Sequence, residues 1–177
     1  MTRFIFILLC AWTASTCGAA AQSAGQITCR VSNNGRSADG GIRLIASNGR
    51  EAGAGPCGDK PIAVPPGSYT AVLNLDGVLD SPEQRLKVQV SGGRNRPVVA
   101  DFQTGTLRIA IEQNGRLAAG MATIERDGQR VGTLGGGVKA HLSTGTYSVI
   151  VRYRDQERRF ERVVITTGSH RDLKASF

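Results

Sequence analysis

Side chains that could carry out catalysis or bind a metal are few and scattered in this sequence. The two histidines, His141 and His170, stand in no spacing typical of metal ligands. No nucleophile-elbow motif occurs, and the 14 acidic residues are dispersed, half of them beside an arginine. A glycosidase-type pair among these carboxylates stays open as an alternative. We therefore predict a non-enzymatic protein that uses no metal and no cofactor.

Cysteine chemistry points to one structural disulfide. Of the four cysteines, Cys10 and Cys17 fall in an apolar N-terminal segment, whereas Cys29 and Cys57 follow it. Two thiols in an oxidising compartment form one disulfide. We predict a Cys29–Cys57 bond that stabilises the fold by roughly 3–4 kcal/mol in the chain-entropy model. A pair of buried free thiols is the alternative.

Arginine is the other chemically active residue type, and its densest cluster lies near the end of the chain. The net charge is +8, and residues 104–177 hold 12 basic and 7 acidic side chains, against 9 and 7 in residues 22–103. If Tyr147, Val149, Val151 and Tyr153 face a core, the arginines beside them must face outward. The candidate binding surface consists of Arg152, Arg154, Arg158, Arg159 and Arg162.

Such a surface suits a protein partner with acidic side chains, and anionic polysaccharide or lipid headgroups are alternatives. Asp155, Glu157 and Glu161 interleave with the arginines, so ion pairs across a hairpin could instead neutralise the cluster. Nucleic acid is not expected, because the protein is predicted to be secreted and the sequence shows no set of aromatic stacking residues of the kind that single-strand binders display.

The first 21 residues have the layout of a secretory signal peptide. Arg3 precedes an apolar run from Phe4 to Trp12, and small residues lead to Ala19-Ala20-Ala21. The run is too short to span a bilayer, which takes about 20 apolar residues. We predict cleavage after Ala21 and a periplasmic or secreted mature protein without a transmembrane segment. Acylation of Cys17, which would give a lipoprotein, is the alternative.

The elements that position these residues belong to an internal repeat. Residues 25–103 and 104–177 are two copies of one pattern, joined by a very short connection at Gln103-Thr104-Gly105. Each copy opens with an alternating strand that leads into an Asn-Gly turn, Asn34-Gly35 in the first and Asn114-Gly115 in the second. The alternation predicts inward positions at Ile27, Cys29 and Val31, and at Leu107, Ile109 and Ile111.

Short alternating runs separated by Gly, Asn or Pro continue through both copies. No apolar stripe of helical period lasts beyond a turn or two. We predict an all-β fold, two tandem small antiparallel β-sandwiches of the immunoglobulin-like or transthyretin-like type. The Gly-rich segments 52–58 and 135–137 are expected to be irregular loops in equivalent positions. The second lacks the ending and the following helix of a phosphate-binding loop.

The clearest match between the copies is an apolar residue, a Gly turn and a Tyr that begins the next strand. It reads Val64-Pro65-Pro66-Gly67-Ser68-Tyr69 in the first copy and Leu142-Ser143-Thr144-Gly145-Thr146-Tyr147 in the second. This unit resembles the transthyretin-like and carboxypeptidase-regulatory-like sandwiches, and it is similar to PEGA-like surface repeats. The resemblance implies non-catalytic modules, often attached to larger surface or periplasmic proteins.

These observations favour a secreted, non-catalytic interaction or structural module that binds a protein partner in the cell envelope. A carbohydrate-binding module is one alternative, although the mature sequence lacks Trp and its three Tyr fall at predicted inward positions. An inhibitor of a secreted hydrolase is another alternative, with the disulfide-tied Cys57 loop inserted into its target.

Overall fold

The computed structural model describes residues 23–177, and the regular elements in that range are all β-strands. The predicted signal peptide, with its cleavage after Ala21 and the alternative anchor at Cys17, lies outside the described residues. The first eight strands are β1 (Gly25–Asn33), β2 (Arg36–Ala38), β3 (Gly40–Ala46), β4 (Glu51–Pro56), β5 (Gly58–Val64), β6 (Gly67–Leu75), β7 (Glu83–Val90) and β8 (Asn95–Phe102). The next eight are β9 (Thr104–Gln113), β10 (Arg116–Leu117), β11 (Met121–Arg126), β12 (Gln129–Gly135), β13 (Lys139–Ser143), β14 (Gly145–Tyr153), β15 (Gln156–Ile165) and β16 (His170–Ser176).

The two halves are β-sandwiches with the same strand connections. In the first half β1 pairs with β2, β5 and β8, and the second sheet has the order β4-β3-β6-β7. In the second half β9 pairs with β10, β13 and β16, and the second sheet has the order β12-β11-β14-β15. Each strand thus has its counterpart eight strands later, and the predicted all-β sandwich fold is confirmed.

The first and last strands of each half pair in parallel, whereas the other strand pairs are antiparallel. β1 lies beside β8 from Gln26↔Asn95 onward, and β9 lies beside β16 from Thr106↔His170 onward. Since β8 ends at Phe102 and β9 begins at Thr104, a single residue connects the two halves.

The strands bury alternate side chains, as their sequence pattern predicts. The predicted inward positions of β1 and β9 are buried at Ile27, Cys29, Val31, Leu107, Ile109 and Ile111. Two hydrophobic clusters result, one drawn from residues between Ile27 and Phe102 and one from residues between Leu107 and Ala175. Burial of apolar surface at about 25 cal/mol per Å² is the main stabilising contribution to such a core.

Both predicted Asn-Gly turns are two-residue hairpin turns. Asn34 and Gly35 have φ of 53° and 75°, and Asn114 and Gly115 have φ of 50° and 76°. Positive φ at both central residues defines the type I′ turn, whose twist matches that of the flanking strands. The turn prediction is confirmed in both halves.

Equivalent glycines allow a close backbone approach that the sequence pattern did not reveal. A Cβ on Gly25 would lie 2.5 Å from the carbonyl oxygen of Ser91, and a Cβ on Gly105 would lie 2.6 Å from that of Thr166. These glycines stand at the start of β1 and β9, where the chain passes under the end of the opposing sheet. Any larger residue there would displace backbone.

The expectation of an irregular loop over residues 52–58 is wrong. Residues 51–56 form β4 in one sheet and 58–64 form β5 in the other, with Cys57 alone between them. Small side chains make this crossing compact, since a Cβ on Gly53 would lie 2.9 Å from Ile62. The disulfide between Cys29 and Cys57 is present and joins β1 to this crossing point.

Reduction of the disulfide is expected to lower the free energy of unfolding. The bond closes a ring across a sequence separation of 28, so its loss should cost about 3–4 kcal/mol of chain entropy. Urea unfolding with and without reductant measures the effect, and a Cys29→Ser/Cys57→Ser variant should not respond to reductant. Equal midpoints for the wild-type protein in both conditions would contradict the prediction.

Candidate binding surface

The arginine-rich hairpin is formed by β14 and β15, and β15 is an edge strand of its sheet. Tyr147, Val149 and Val151 are buried in the second hydrophobic cluster, and Tyr153 packs against it half-buried. The predicted inward face of β14 is therefore correct. The five predicted arginines are exposed.

Two of these arginines lie on the outer face of the sheet and are ion-paired. The Nε of Arg152 donates to Glu157 at 2.9 Å across the hairpin. Arg159 donates to Glu161, and its other guanidinium nitrogen lies 3.4 Å from Glu125 on β11. Hydrogen bonding and the negative charge of Glu161 raise the pKa of Arg159. On this face the neutralisation that the interleaved acids suggested does take place.

Two other arginines lie over aromatic rings. The Cζ of Arg154 is 5.2 Å from the centroid of Tyr153, and the Cζ of Arg158 is 5.9 Å from the centroid of Phe177. The two rings lie 5.6 Å apart. None of the ion pairs formed within residues 23–177 includes Arg154 or Arg158. We call these four residues the aromatic–arginine cluster.

The fifth arginine, Arg162, lies at an irregularity of β15. The register changes between Tyr147↔Val163 and Val149↔Phe160, and Arg162 takes a φ of 55° there. A bulge of this kind turns a side chain away from the regular alternation. The five arginines are thus distributed over three environments rather than brought together in one surface.

A shallow depression adjoins the aromatic–arginine cluster. Its lining includes Tyr153 and Arg154 from the hairpin, together with Asn114, Arg116 and Leu117 from the β9–β10 turn region. Leu117 is 69% exposed, the most exposed of the large apolar residues in the described chain. This end of the second half therefore combines a free cation, an aromatic ring and an exposed aliphatic side chain.

The described residues contain no grouping of three or more His, Cys, Asp or Glu side chains placed to hold a metal ion. His141 lies with its Nδ1 3.5 Å from the Thr106 hydroxyl, and His170 is exposed at the start of β16. Across residues 23–177, no helix has the length and apolar character needed to cross a membrane.

Sequence reasoning missed the contact between the two halves, which is made by the connection between β6 and β7. Val78 bridges to His141, and the amide of Leu79 donates to the His141 carbonyl at 2.9 Å. The Leu79 side chain packs against the second hydrophobic cluster and occupies the space over Gly132, where a Cβ would lie 2.5 Å from it.

Asp80 completes this contact. Its side chain is 5% exposed and accepts hydrogen bonds from the Ser143 amide at 3.0 Å and the Tyr147 hydroxyl at 2.8 Å. Arg126 lies 3.6 Å from the same carboxylate and 5.5 Å above the Tyr147 ring. A buried carboxylate is stable only when it is hydrogen-bonded and paired in this way. Asp80, Arg126 and Tyr147 therefore form a lock between the halves.

One sequence signal for the lock exists. Eight residues separate the paired residues Asn74 and Glu83, whereas four separate Arg152 and Glu157 at the equivalent place in the second half. The longer connection supplies Val78, Leu79 and Asp80. An insertion in one copy of a repeat, with two apolar residues followed by an acid, is the pattern that could have identified it.

The contact with Asp80 also changes the pKa of Tyr147. Burial, the hydrogen bond to Asp80 and the negative charge of Asp80 raise the pKa of this phenol well above its usual value, and Arg126 opposes the shift. Tyr147 therefore holds its proton when the unfolded chain would have released it.

Several solved structures are similar to this chain in part. No family model matches the chain, and no curated protein matches it. The TIE protein of Bacillus anthracis is 17% identical with a TM-score of 0.37, over 88% of this chain and 34% of that one. A candidate adhesin from Bacteroides ovatus is 9% identical with a TM-score of 0.46, over 85% of this chain and 89% of that one. Candidate polysaccharide-binding proteins from Bacteroides thetaiotaomicron are 10% identical with a TM-score of 0.40, over 76% of this chain and 78% of that one. This likeness assigns neither a family nor a function to the chain.

Substitution of Asp80 is expected to open the contact between the halves. Asp80→Ala removes the acceptor of the Ser143 amide, which should cost about 2 kcal/mol and speed amide exchange at Ser143 and Leu79 roughly 30-fold. Hydrogen exchange followed by NMR measures this. Asp76→Ala, which removes an exposed carboxylate from the same connection, is the matched control. Unchanged protection at both amides in the Asp80 variant would show that the lock is dispensable.

Alkaline titration tests the environment of Tyr147. The raised pKa means that the folded protein keeps this proton above about pH 10, where the unfolded phenol ionises, so stability should fall as the pH rises past that value. Phenolate absorbance should show a late-ionising component that disappears in Tyr147→Phe and ionises earlier in Asp80→Asn. A titration curve with the same late component in Tyr147→Phe would refute the assignment.

Proposed function

We propose that the chain is an exported, non-catalytic interaction module that binds a protein partner in the periplasm or at the cell surface. The observation that carries this proposal is the aromatic–arginine cluster with its neighbouring depression. Arginine and aromatic side chains are the residues enriched at the centres of protein interfaces. Here they lie together, exposed or half-exposed, at one end of the second sandwich.

The free arginines are the ones suited to a partner. Arg154 and Arg158 lie over aromatic rings and belong to no ion pair within residues 23–177, so a partner can bind them without breaking one. Arg152 and Arg159 would first have to leave their carboxylates. Arg162 lies further along β15 and extends the cationic edge. A partner with acidic side chains around an apolar contact complements this arrangement, with Leu117 as the apolar anchor.

The lock between the halves supports the same proposal. A recognition surface on a rigid support loses less conformational entropy on binding. Asp80 and Leu79 attach the second half to the first at a place distant in sequence from the one-residue connection at Gln103. The Asn34 side chain adds a pair of hydrogen bonds to the backbone of Thr104, at 3.0 Å and 2.9 Å.

We further propose that residues 25–103 and 104–177 are two domains of the transthyretin-like, carboxypeptidase-regulatory-like or PEGA-like kind, exported by the segment 1–21. Their equal strand order supports this. So does a shared position of the Tyr hydroxyl, which lies 2.7 Å from the Pro65 carbonyl oxygen in Tyr69 and 2.8 Å from the Ser143 carbonyl oxygen in Tyr147.

The inhibitor hypothesis has less support than the protein-binding one. It rested on a projecting loop at Cys57, and the structure has a strand crossing there. The carbohydrate-binding hypothesis also has little support from stacking of sugars on Tyr rings, because Tyr69 and Tyr147 are buried.

Partner capture tests the proposed surface. The purified protein, cross-linked in an envelope extract, should retain a specific protein that an Arg154→Ser/Arg158→Ser variant loses. An Arg152→Ser/Arg159→Ser variant removes the same charge from the same hairpin and should retain it. Equal loss in both variants would indicate that net charge alone drives the association, and no capture by the wild-type protein would overturn the proposal.

A further inference from the structure

The outer face of the other sheet of the second half carries a second set of cations. In β9, β13 and β16, Lys139 lies opposite Arg108, and Asp172 lies on the other side of Arg108. Two residues earlier in β9, on the same face, Thr106 lies between His141 of β13 and His170 of β16. Both histidines of the protein therefore lie on one face of one sheet, beside an Arg-Lys pair from adjacent strands.

This arrangement costs stability. Adjacent strands are about 4.8 Å apart, and like charges directly opposite each other destabilise a sheet. Among the ion pairs within residues 23–177, none includes Arg108, Lys139 or Arg171, and Asp172 does not pair with them either. Arg108 and Lys139 thus lie opposite each other without a closely paired protein carboxylate, unlike Arg152 and Arg159 on the opposite sheet.

The fold does not require charge at four of these positions, because the first half carries none there, although Arg96 stands where Arg171 does. Register places Thr28 at the position of Arg108 and Pro61 at that of Lys139. It likewise places Asn95 at the position of His170 and Pro97 at that of Asp172. The same sheet is therefore built without a single charge at these four places.

The polar groups converge on a shallow depression of about 190 Å³. Its lining is Thr106, Arg108, Lys139, His170, Arg171 and Asp172. Guanidinium and ammonium groups bind carboxylate or sulfate, whereas the Asp172 carboxylate and the imidazole can bind hydroxyl groups. The size suits one anionic sugar ring and the spread over three strands suits a chain of them.

We propose that this face binds an anionic polysaccharide, one whose sugar units carry carboxylate or sulfate groups. The site goes beyond the proposed protein-binding surface. It lies at the beginning of β9 and β16, whereas that surface lies around Leu117 and Phe177 beyond the other end of these two strands. A carboxylate among the cations favours a ligand that alternates anions with hydroxyls over a uniformly anionic membrane. Membrane docking also requires apolar side chains that insert among the lipids, and the lining of the depression has none.

Binding of two commercial polyanions, heparin and polygalacturonate, tests the proposal by calorimetry, with neutral dextran as the uncharged reference. The purified protein should bind at least one polyanion and not dextran, with an affinity that falls as salt is added. Arg108→Thr/Lys139→Ser/His170→Asn, which introduces two residues of the first half's type, should bind about tenfold more weakly. Arg30→Thr/Lys60→Ser removes the same formal charge from β1 and β5 and should bind within about twofold of wild type.

Three results would overturn the proposal. Equal weakening by both variants would mean that binding follows net charge, and a lack of binding to either polyanion would exclude the ligand class. Tighter binding to phosphatidylglycerol vesicles than to both polyanions would make the membrane the ligand. Thermal unfolding of each variant confirms that it is folded. The triple variant should still bind the protein partner, because the proposed protein-binding surface lies at the other end of β9 and β16.

Discussion

The buried carboxylate of Asp80 is the group on which the arrangement of the two halves depends. A charge removed from water is costly unless donors replace its hydration, and here a backbone amide, a phenol and a guanidinium do so, all from the second half. To bring the carboxylate there, the connection between β6 and β7 must lie against β13, which places Leu79 over Gly132. Both proposed binding surfaces are held relative to the first half by this contact.

The contact at Asp80 also makes the two copies of the repeat structurally different. Pro65 stands where Ser143 supplies an amide hydrogen, and Ala46 stands where Arg126 supplies a guanidinium. The first half therefore lacks two of the three groups that receive Asp80, although it keeps the Tyr hydroxyl bond to the carbonyl four residues earlier. One copy extends a connection and the other accepts it, so the same fold serves two structural roles.

Local patterns were sufficient for the strands and turns, and insufficient for the contacts between them. Alternation identified the buried side of β1 and β9, because period-two burial is a property of each strand alone. The Asn-Gly dipeptides identified the turns, because positive φ is a property of those residues. The crossing at residues 51–64 was missed, since its Gly-rich sequence resembles a loop and its two strands form by pairing with β3 in one sheet and with β1 in the other. The partners of Asp80 lie more than 40 positions away and have no local signature.

Charge density along the sequence was a poor guide to free charge on the surface. The hairpin from Arg152 to Arg162 contains the most arginines, but register places Glu157 opposite Arg152, and the two neutralise each other. Arg108 and Lys139 are isolated in sequence, yet register places them opposite each other with no closely paired carboxylate. Because a β-sheet presents cross-strand neighbours together, pairing between strands decides where an anion can bind. Arg108 and Lys139 therefore form a candidate anion site that the charge density along the sequence did not indicate.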